Sequence, residues 1–469
     1  MVVGLEVHAQ LLTATKLFCS DSTQFGLEPN TQVSAISLGH PGTLPKLNKE
    51  AIKLAVKLGL AMNCEIVQHN YFARKNYFYP DLPKGYQVTQ HTTPVCRKGF
   101  MEIMIPAGNR KIRLNRIHME EDAGKSLHDA SSGYTNLDYN RAGMPLLEIV
   151  TEPDIRSAEE AYAFVSSLRN LVRHLEVCDG NMEEGSFRCD VNISVRRKGD
   201  EKLGTKVEVK NLNSVRFIKK AIEYEYERLV ALHQSGKSIL QETRGFDESS
   251  FTTYSIRTKE DEDDYRYFPE PDLPPFFITD ETIAAIRSAM PPLQSEILKD
   301  LVETYGLSHS DAGIIAGDME LTAFYMELVR HTNHYKAAAN WTIGPVKQLL
   351  MSEGGNINAR GIAEMIRLID EGKISYGIAS QKIFPVLAEK PGLDIDNYIE
   401  IEGLQLQTGD EMDSWISASL EKHALKIPEY KKGKKGLVSV FVGEVMKASK
   451  GRVDARIVTE KIIEKLNES

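Results

Sequence analysis

Apolar and polar residues alternate from the start of the chain. Val3, Leu5, Val7, Ala9 and Leu11 are apolar, while Glu6, His8 and Gln10 are polar. This is the period of a half-buried strand, and it puts Glu6 and His8 on one face. A second stretch extends the pattern: Phe187, Cys189, Val191, Ile193 and Val195 point one way, and Glu184, Ser186, Arg188, Asp190, Asn192 and Ser194 the other. A third, Lys206 to Lys210, sets Lys206, Glu208 and Lys210 against Val207 and Val209. Helical spacing takes over at Ser157, an N-cap candidate with Glu160 three residues on, and continues through Ala161, Phe164, Leu168, Leu171 and Val172. A further helix is predicted from about Val215 to His233, and the proline-rich Pro269–Pro275 reads as the exit from this region. From Pro291 onward nearly every segment reads as helix, with breaks at Gly306, Gly354–Gly355, Gly372 and Pro391–Gly392. The pattern predicts an α+β chain: a mixed, strand-rich domain over residues 1–288, a helical domain over 289–400 and an all-α C-terminal module over 401–469.

Length supports several domains, since 469 residues exceed one ordinary core. With 42% apolar and 26% charged residues the composition is that of a globular protein. No apolar run reaches the roughly 18 residues of a membrane span, and Glu6 and His8 interrupt any signal-like start, so no membrane contact and a cytoplasmic location are expected. Five scattered cysteines without a C-x-x-C pair argue against a zinc ribbon or a disulfide frame. A net charge of -9 excludes a generally basic nucleic-acid binder, so any contact with RNA must be local. One such patch lies between Lys431 and Arg456, where eight Lys and Arg face two acids, Glu444 and Asp454.

The strand faces carry the candidate chemistry. Glu184, Ser186, Arg188, Asp190 and Asn192 gather carboxylates, a guanidinium, an amide and a hydroxyl, a set suited to a metal and phosphate groups; a solvated face is the plain alternative. Three consecutive acids in Ile117–Ser126 (IHMEEDAGKS) repel one another unless a cation or water neutralises them. Glu148 sits inside the apolar run Met144–Val150, where a carboxylate needs either a metal or an arginine partner. Gly124-Lys125-Ser126 resembles the end of a phosphate-binding loop, but Met119 stands where that motif requires Gly. Without a G-x-G-x-x-G after a strand, phosphate handling falls to Mg2+ held by carboxylates, with Lys and Arg at the phosphates. Neither a G-x-S-x-G elbow nor a cysteine nucleophile signature is present, so this chain is not expected to hydrolyse glutamine itself. Tyr77, Phe78, Tyr79 and Tyr86, interleaved with Pro80 and Pro83, form a stiff aromatic loop that either stacks on a base, lines a passage or simply packs.

Eight motifs then align in order with one family. GLEVH at Gly4–His8, Arg74–Gln87, HMEEDAGKS at His118–Ser126, LEIVTEPD at Leu147–Asp154, MEEGSFRCDVNIS at Met182–Ser194, KNLNS at Lys210–Ser214, DYRYFPEPD at Asp264–Asp272 and the basic Lys434–Lys450 closely resemble the GatB family, the B component of the aspartyl/glutamyl-tRNA amidotransferases. The start departs slightly, since the family has a few more residues before the first strand. The resemblance implies a cradle-like domain with a mainly antiparallel sheet, a helical domain and a tRNA-binding tail. It implies ATP-dependent activation of the side-chain carboxyl of Glu-tRNA(Gln) or Asp-tRNA(Asn) and its amidation. It implies two partners, an amidase-type A subunit that delivers ammonia and a small C subunit. Carried over residue by residue, the metal site falls on Glu6, His8, Glu121, Glu148, Glu184 and Asp190. Strand parity prefers Glu120 to Glu121 if that segment is a regular strand. Glu184, Arg188, Lys125 and Lys210 take catalytic roles, Ser186, Asn192 and Lys206 bind the ATP, and Lys434, Lys435, Lys447, Lys450 and Arg452 contact tRNA. The competing readings are a non-catalytic tRNA-binding scaffold and a stand-alone metal-dependent hydrolase.

Overall fold

The alternating first segment becomes strand β1 (Val2–Gln10), with Val3, Leu5, Val7 and Ala9 buried and Glu6 and His8 on the opposite face. The computed structural model describes residues 1–106, 108–129, 133–258, 265–351, 357–407 and 409–468. Two compact units divide it, Met1–Pro291 and Pro292–Ser469. The Gly354–Gly355 break and Asp264, the first residue of the DYRYFPEPD motif, lie outside the described residues.

In the first unit, helix α1 (Lys49–Ala61) follows β1, then the hairpin strands β2 (Ala73–Asn76) and β3 (Tyr86–Thr89), the long β4 (Gly108–Glu121) and β5 (Pro145–Thr151). After α2 (Ala158–His174) come β6 (Phe187–Ser194), β7 (Val207–Leu212), α3 (Val215–Gln234), β8 (Glu242–Asp247), β9 (Thr252–Thr258) and the two-residue β10 (Phe268–Pro269). Ser157 caps α2 by accepting from the Glu160 amide at 3.1 Å, and Glu160 accepts from the Arg156 amide at 2.7 Å. Both α2 and α3 form where the helical spacing places them.

These strands form the spine of one thirteen-stranded sheet, ordered β9-β8-β7-β6-β1-β5-β4-β3-β2-β10. Every pairing along it is antiparallel except β7 with β8. β1 is thus central although it is first in sequence. Helix α3 packs on β6 and β7, and α1 on β4, covering the apolar face. Proline is tolerated in β10 because that strand is an edge, and Arg74 of β2 grips the next residue, Glu270, with two hydrogen bonds of 2.7 and 2.8 Å.

The second unit is helical and carries two hydrophobic clusters. One spans Ile297 to Ile399 and is centred on residues such as Tyr325, Trp341, Ile362 and Ile366, the last two from helix α4 (Ala359–Asp370). The other spans Met412 to Leu466, where Ile416 of α5 (Asp410–Lys422) joins Phe441 and Val445 of α6 (Val438–Ala448). Gly306 and Gly372, two of the expected breaks, turn the chain through left-handed backbone (φ +64° and +68°), a conformation glycine adopts freely.

Candidate active site

Register alone brings distant residues together. Arg188 on β6 opposes His8 on β1, His8 opposes Glu148 on β5, and Glu148 opposes His118 on β4. Directly opposed side chains lie about 5 Å apart on one face of a sheet, so the four form a row. The neighbouring rows hold Asp190 opposite Glu6 and Asn192 opposite Glu208 on one side, and Leu146, Glu120 and Thr89 on the other. All but Asn192 help line one cavity of about 710 Å3.

Two acidic clusters sit on this floor. His8 Nε2 lies 3.5 Å from Glu148 and 3.9 Å from Glu120; His118 Nε2 lies 3.4 and 3.6 Å from the same two carboxylates. The potential ligand atoms of His8, Glu120 and Glu148 fall within 4.8 Å of one another, as do those of Glu6, Asp190 and Glu208. Burial would lower the His8 pKa, but the Glu148 and Glu120 carboxylates override it and push the value up to about 9. Burial likewise opposes ionisation of Glu148, yet the His118 and His8 rings hold its carboxyl well below the usual range. Lys210 reaches the second cluster, with Nζ 3.1 Å from Asp190 and 3.3 Å from Glu208.

Basic groups complete the wall: Lys75, Arg116, Arg188, Lys206, Lys210, Arg257 and Arg266. Asp122 holds Arg188, each carboxylate oxygen accepting from Nη2 at 3.1 Å, and also accepts from Gln10 at 2.8 Å. Arg116 Nε, Arg188 Nε, His118 Nδ1 and Asn192 Oδ1 are buried without a hydrogen-bond partner among the described residues. Buried polar atoms without a partner are uncommon in native folds, and these four gather around the acidic clusters.

The family described as the GatB/GatE catalytic domain matches residues 1–284, and that described as the GatB domain matches 323–466. The B subunit of the aspartyl/glutamyl-tRNA(Asn/Gln) amidotransferase of Thermodesulfovibrio yellowstonii is 46% identical over 100% of this chain and 99% of its own length. The proteins of the same name from Alkalilimnicola ehrlichii and Persephonella marina are 46% and 45% identical, each over 99% of this chain and 99% and 98% of their own lengths. This chain belongs to the GatB family.

The positions that the GatB resemblance supplies do not all meet. Glu6, His8, Glu148, Arg188, Asp190, Lys206 and Lys210 line the cavity. Glu121 does not: β4 pairs without a register shift from Arg116 to its end, so Glu120 takes the cavity face, and Glu121 accepts from Lys84 Nζ at 2.7 Å and from the Val88 amide at 2.8 Å beside a separate, smaller cavity. Glu184 is an exposed turn residue because β6 begins only at Phe187. Ser186 turns away to hydrogen-bond Asp179 and the Asn181 carbonyl. Lys125 is exposed on a separate two-stranded ribbon, opposite Asp138. Asn192 lines an adjoining cavity and donates to Glu6 at 2.7 Å.

The cavity also holds residues to which the resemblance gives no role, among them Lys75, His118 and Glu208, although the strand pattern already sets Glu208 on the polar face with Lys206 and Lys210; Glu120 lines it and Glu121 does not. His118 and Glu120 alternate on β4, and Glu208 alternates with Lys206 and Lys210, so parity is the signal that could find them. In the GatB tail, α6 buries Phe441 and Val445. Lys447 and Lys450 are exposed, Lys434 pairs with Glu429 at 2.9 Å, Lys435 lies 4.0 Å over the Tyr430 ring, and Arg452 is half-buried.

Proposed function

We propose that this chain uses ATP to activate the side-chain carboxylate of glutamate or aspartate carried on a mischarged tRNA, and passes the activated acyl group to ammonia. The observation that carries the reading is one cavity in which six acids (Glu6, Glu120, Asp122, Glu148, Asp190, Glu208) meet seven lysine and arginine side chains. The relatives' names, aspartyl/glutamyl-tRNA(Asn/Gln) amidotransferase, give the substrate class.

A carboxylate resists ammonia because oxide is a poor leaving group. Transfer of the γ-phosphoryl group to a carboxylate oxygen releases ADP and leaves an acyl phosphate. Ammonia then adds at that carbon, the C–O bond to phosphate breaks, and amide and inorganic phosphate leave. The donor set suits Mg2+, which takes oxygen ligands from one or two carboxylates and fills its shell with water and phosphate. Glu120 and Glu148 would hold one ion, with His8 able to join them only after giving up its proton, and Glu6, Asp190 and Glu208 would hold a second. When bound, Mg2+ offsets the repulsion between substrate carboxylate and phosphate. Arg188, oriented by Asp122, and Lys210, at the edge of the second trio, present cations to the transferred group. Asn192 orients Glu6 through its amide, while Lys206 contributes charge at the nucleotide phosphates.

The chain has no nucleophile signature for glutamine hydrolysis, so ammonia would come from an amidase-type A subunit, with a small C subunit in the same assembly. The exposed lysines of the tail, with Arg452, would contact tRNA phosphates. A scaffold without chemistry leaves the buried acids without a task. The deciding assay uses the three-subunit assembly with ATP, glutamine and mischarged tRNA. Glu148→Gln is expected to lower transamidation by roughly 100-fold or more, with glutamine hydrolysis in the A subunit retained. Parental transamidation in Glu148→Gln would return the chain to the scaffold reading.

A further inference from the structure

The cavity has an aromatic side that the activation chemistry does not use. His91 and Tyr267 stack with ring centroids 4.0 Å apart and planes within 5°. Tyr265 meets Tyr267 at 6.2 Å and 64°, and Tyr77 meets Tyr265 edge-on at 6.1 Å. All four rings line the cavity that contains the two acidic clusters. His91 is held neutral, its pKa lowered by burial and then by Arg116 and His118, so the stack carries no charge at neutral pH.

The backbone presenting these rings is strained. Arg266, between the two tyrosines, has φ +44°. A non-glycine residue in left-handed backbone costs about 1–2 kcal/mol and persists only when neighbouring contacts impose it. Here Asn76 Nδ2 donates to the Arg266 carbonyl at 2.8 Å, and Arg74 grips Glu270 a few residues on. The turn leaves Tyr265 and Tyr267 both facing the cavity and places Arg266 on its lining as well.

We propose that the Tyr267–His91 stack, extended by Tyr265, is a platform for an adenine base, resting on the reading that the cavity activates aminoacyl-tRNA with ATP. Flat neutral rings beside cationic side chains are how proteins hold unpaired bases without reading their sequence. Two substrates end in adenosine, ATP and the 3′ terminus of the tRNA, where the amino acid is esterified to the terminal ribose. Lys75 Nζ lies 4.8 Å over the Tyr265 ring, and the rings share the cavity lining with Glu120 and Glu148. Arg116 and Arg266 line the same cavity and supply the cationic side chains beside the rings.

The test measures KM for ATP and for Glu-tRNA separately in the three-subunit assembly carrying Tyr267→Ala or Tyr267→Phe. Loss of the ring is expected to raise one KM by roughly tenfold or more, and Tyr267→Phe, which keeps the ring, to restore it to within about twofold. A rise confined to ATP assigns the platform to the nucleotide; a rise confined to Glu-tRNA assigns it to the acceptor end. Unchanged values for both, equal rises in both, or a Phe variant as impaired as Ala would overturn the platform. Failure of the underlying reading looks different, because the parental assembly would then show no ATP-dependent transamidation at all.

Discussion

Asp122 is buried, which by itself favours the neutral acid, yet Arg188 and then Arg141 and Gln10 hold its pKa below the ordinary carboxylate value. A carboxyl with a depressed folded-state pKa contributes stability at pH values above its unfolded value of about 3.9, and loses that contribution as pH falls through the lower folded value. Asp122→Asn removes the only carboxylate hydrogen-bonded to Arg188 among the described residues. Arg188 keeps 27% of its side chain exposed, so the cost is expected at or below about 3 kcal/mol rather than that of a fully buried orphan charge. Urea unfolding at pH 7 should show the loss, and the gap from the parent should close as the pH is taken below about 4. Glu184 supplies the opposite case. Exposed in the turn before β6 and outside the cavity, it should tolerate Glu184→Gln with transamidation within about twofold of the parent, the range of an ordinary surface change. A collapse of activity in that variant would return Glu184 to the site.

Helix α1 offers an element-scale test in which propensity points the wrong way. Gly→Ala inside a helix ordinarily stabilises by about 1 kcal/mol. At Gly59 an added methyl would collide with Cys96 Sγ and lie 2.9 Å from Ile66 Cδ1. Overpacking of this kind costs about 1–3 kcal/mol, so Gly59→Ala should lower the urea midpoint. Cys96→Ala in the same background should recover part of the loss. Much at this scale is readable from periodicity: β1, β6, β7, α2 and α3 all form where alternation or helical spacing puts them. Parity also puts Glu120 rather than Glu121 on the cavity face, because β4 pairs without a register shift from Arg116 to its last residue. It fails at Glu184 and Ser186 because the polar alternation runs past the start of β6 into a turn fixed by Asn181, whose side chain accepts from the Glu183 and Glu184 amides. It is silent about which strands adjoin. His118 and Glu148 meet through a pairing of β4 with β5 that no local pattern encodes, and Glu208 joins Glu6 only through the intervening β6.

At the scale of the whole molecule, acids and cations mix in the cavity of the first unit, whereas exposed lysines gather in the last helices of the second. Contacts to phosphate weaken steeply with salt, each contributing a slope near ~0.9 in log K against log salt for duplex nucleic acid. Charge reversal at Lys447 and Lys450 should therefore raise the KM for mischarged tRNA and flatten its salt dependence by roughly two such units. Unchanged tRNA affinity at matched ionic strength would leave these lysines as ordinary helix-end cations. The central position of β1 has a further consequence during synthesis. Its two neighbours, β5 and β6, begin at Pro145 and Phe187, so the ribosome must make nearly two hundred residues before the first strand is flanked on both sides. At roughly 5–20 residues per second that interval is on the order of 10–40 s. Throughout it the nascent chain carries an apolar strand with unsatisfied edges, a natural client for a chaperone and a contact order that favours slow folding.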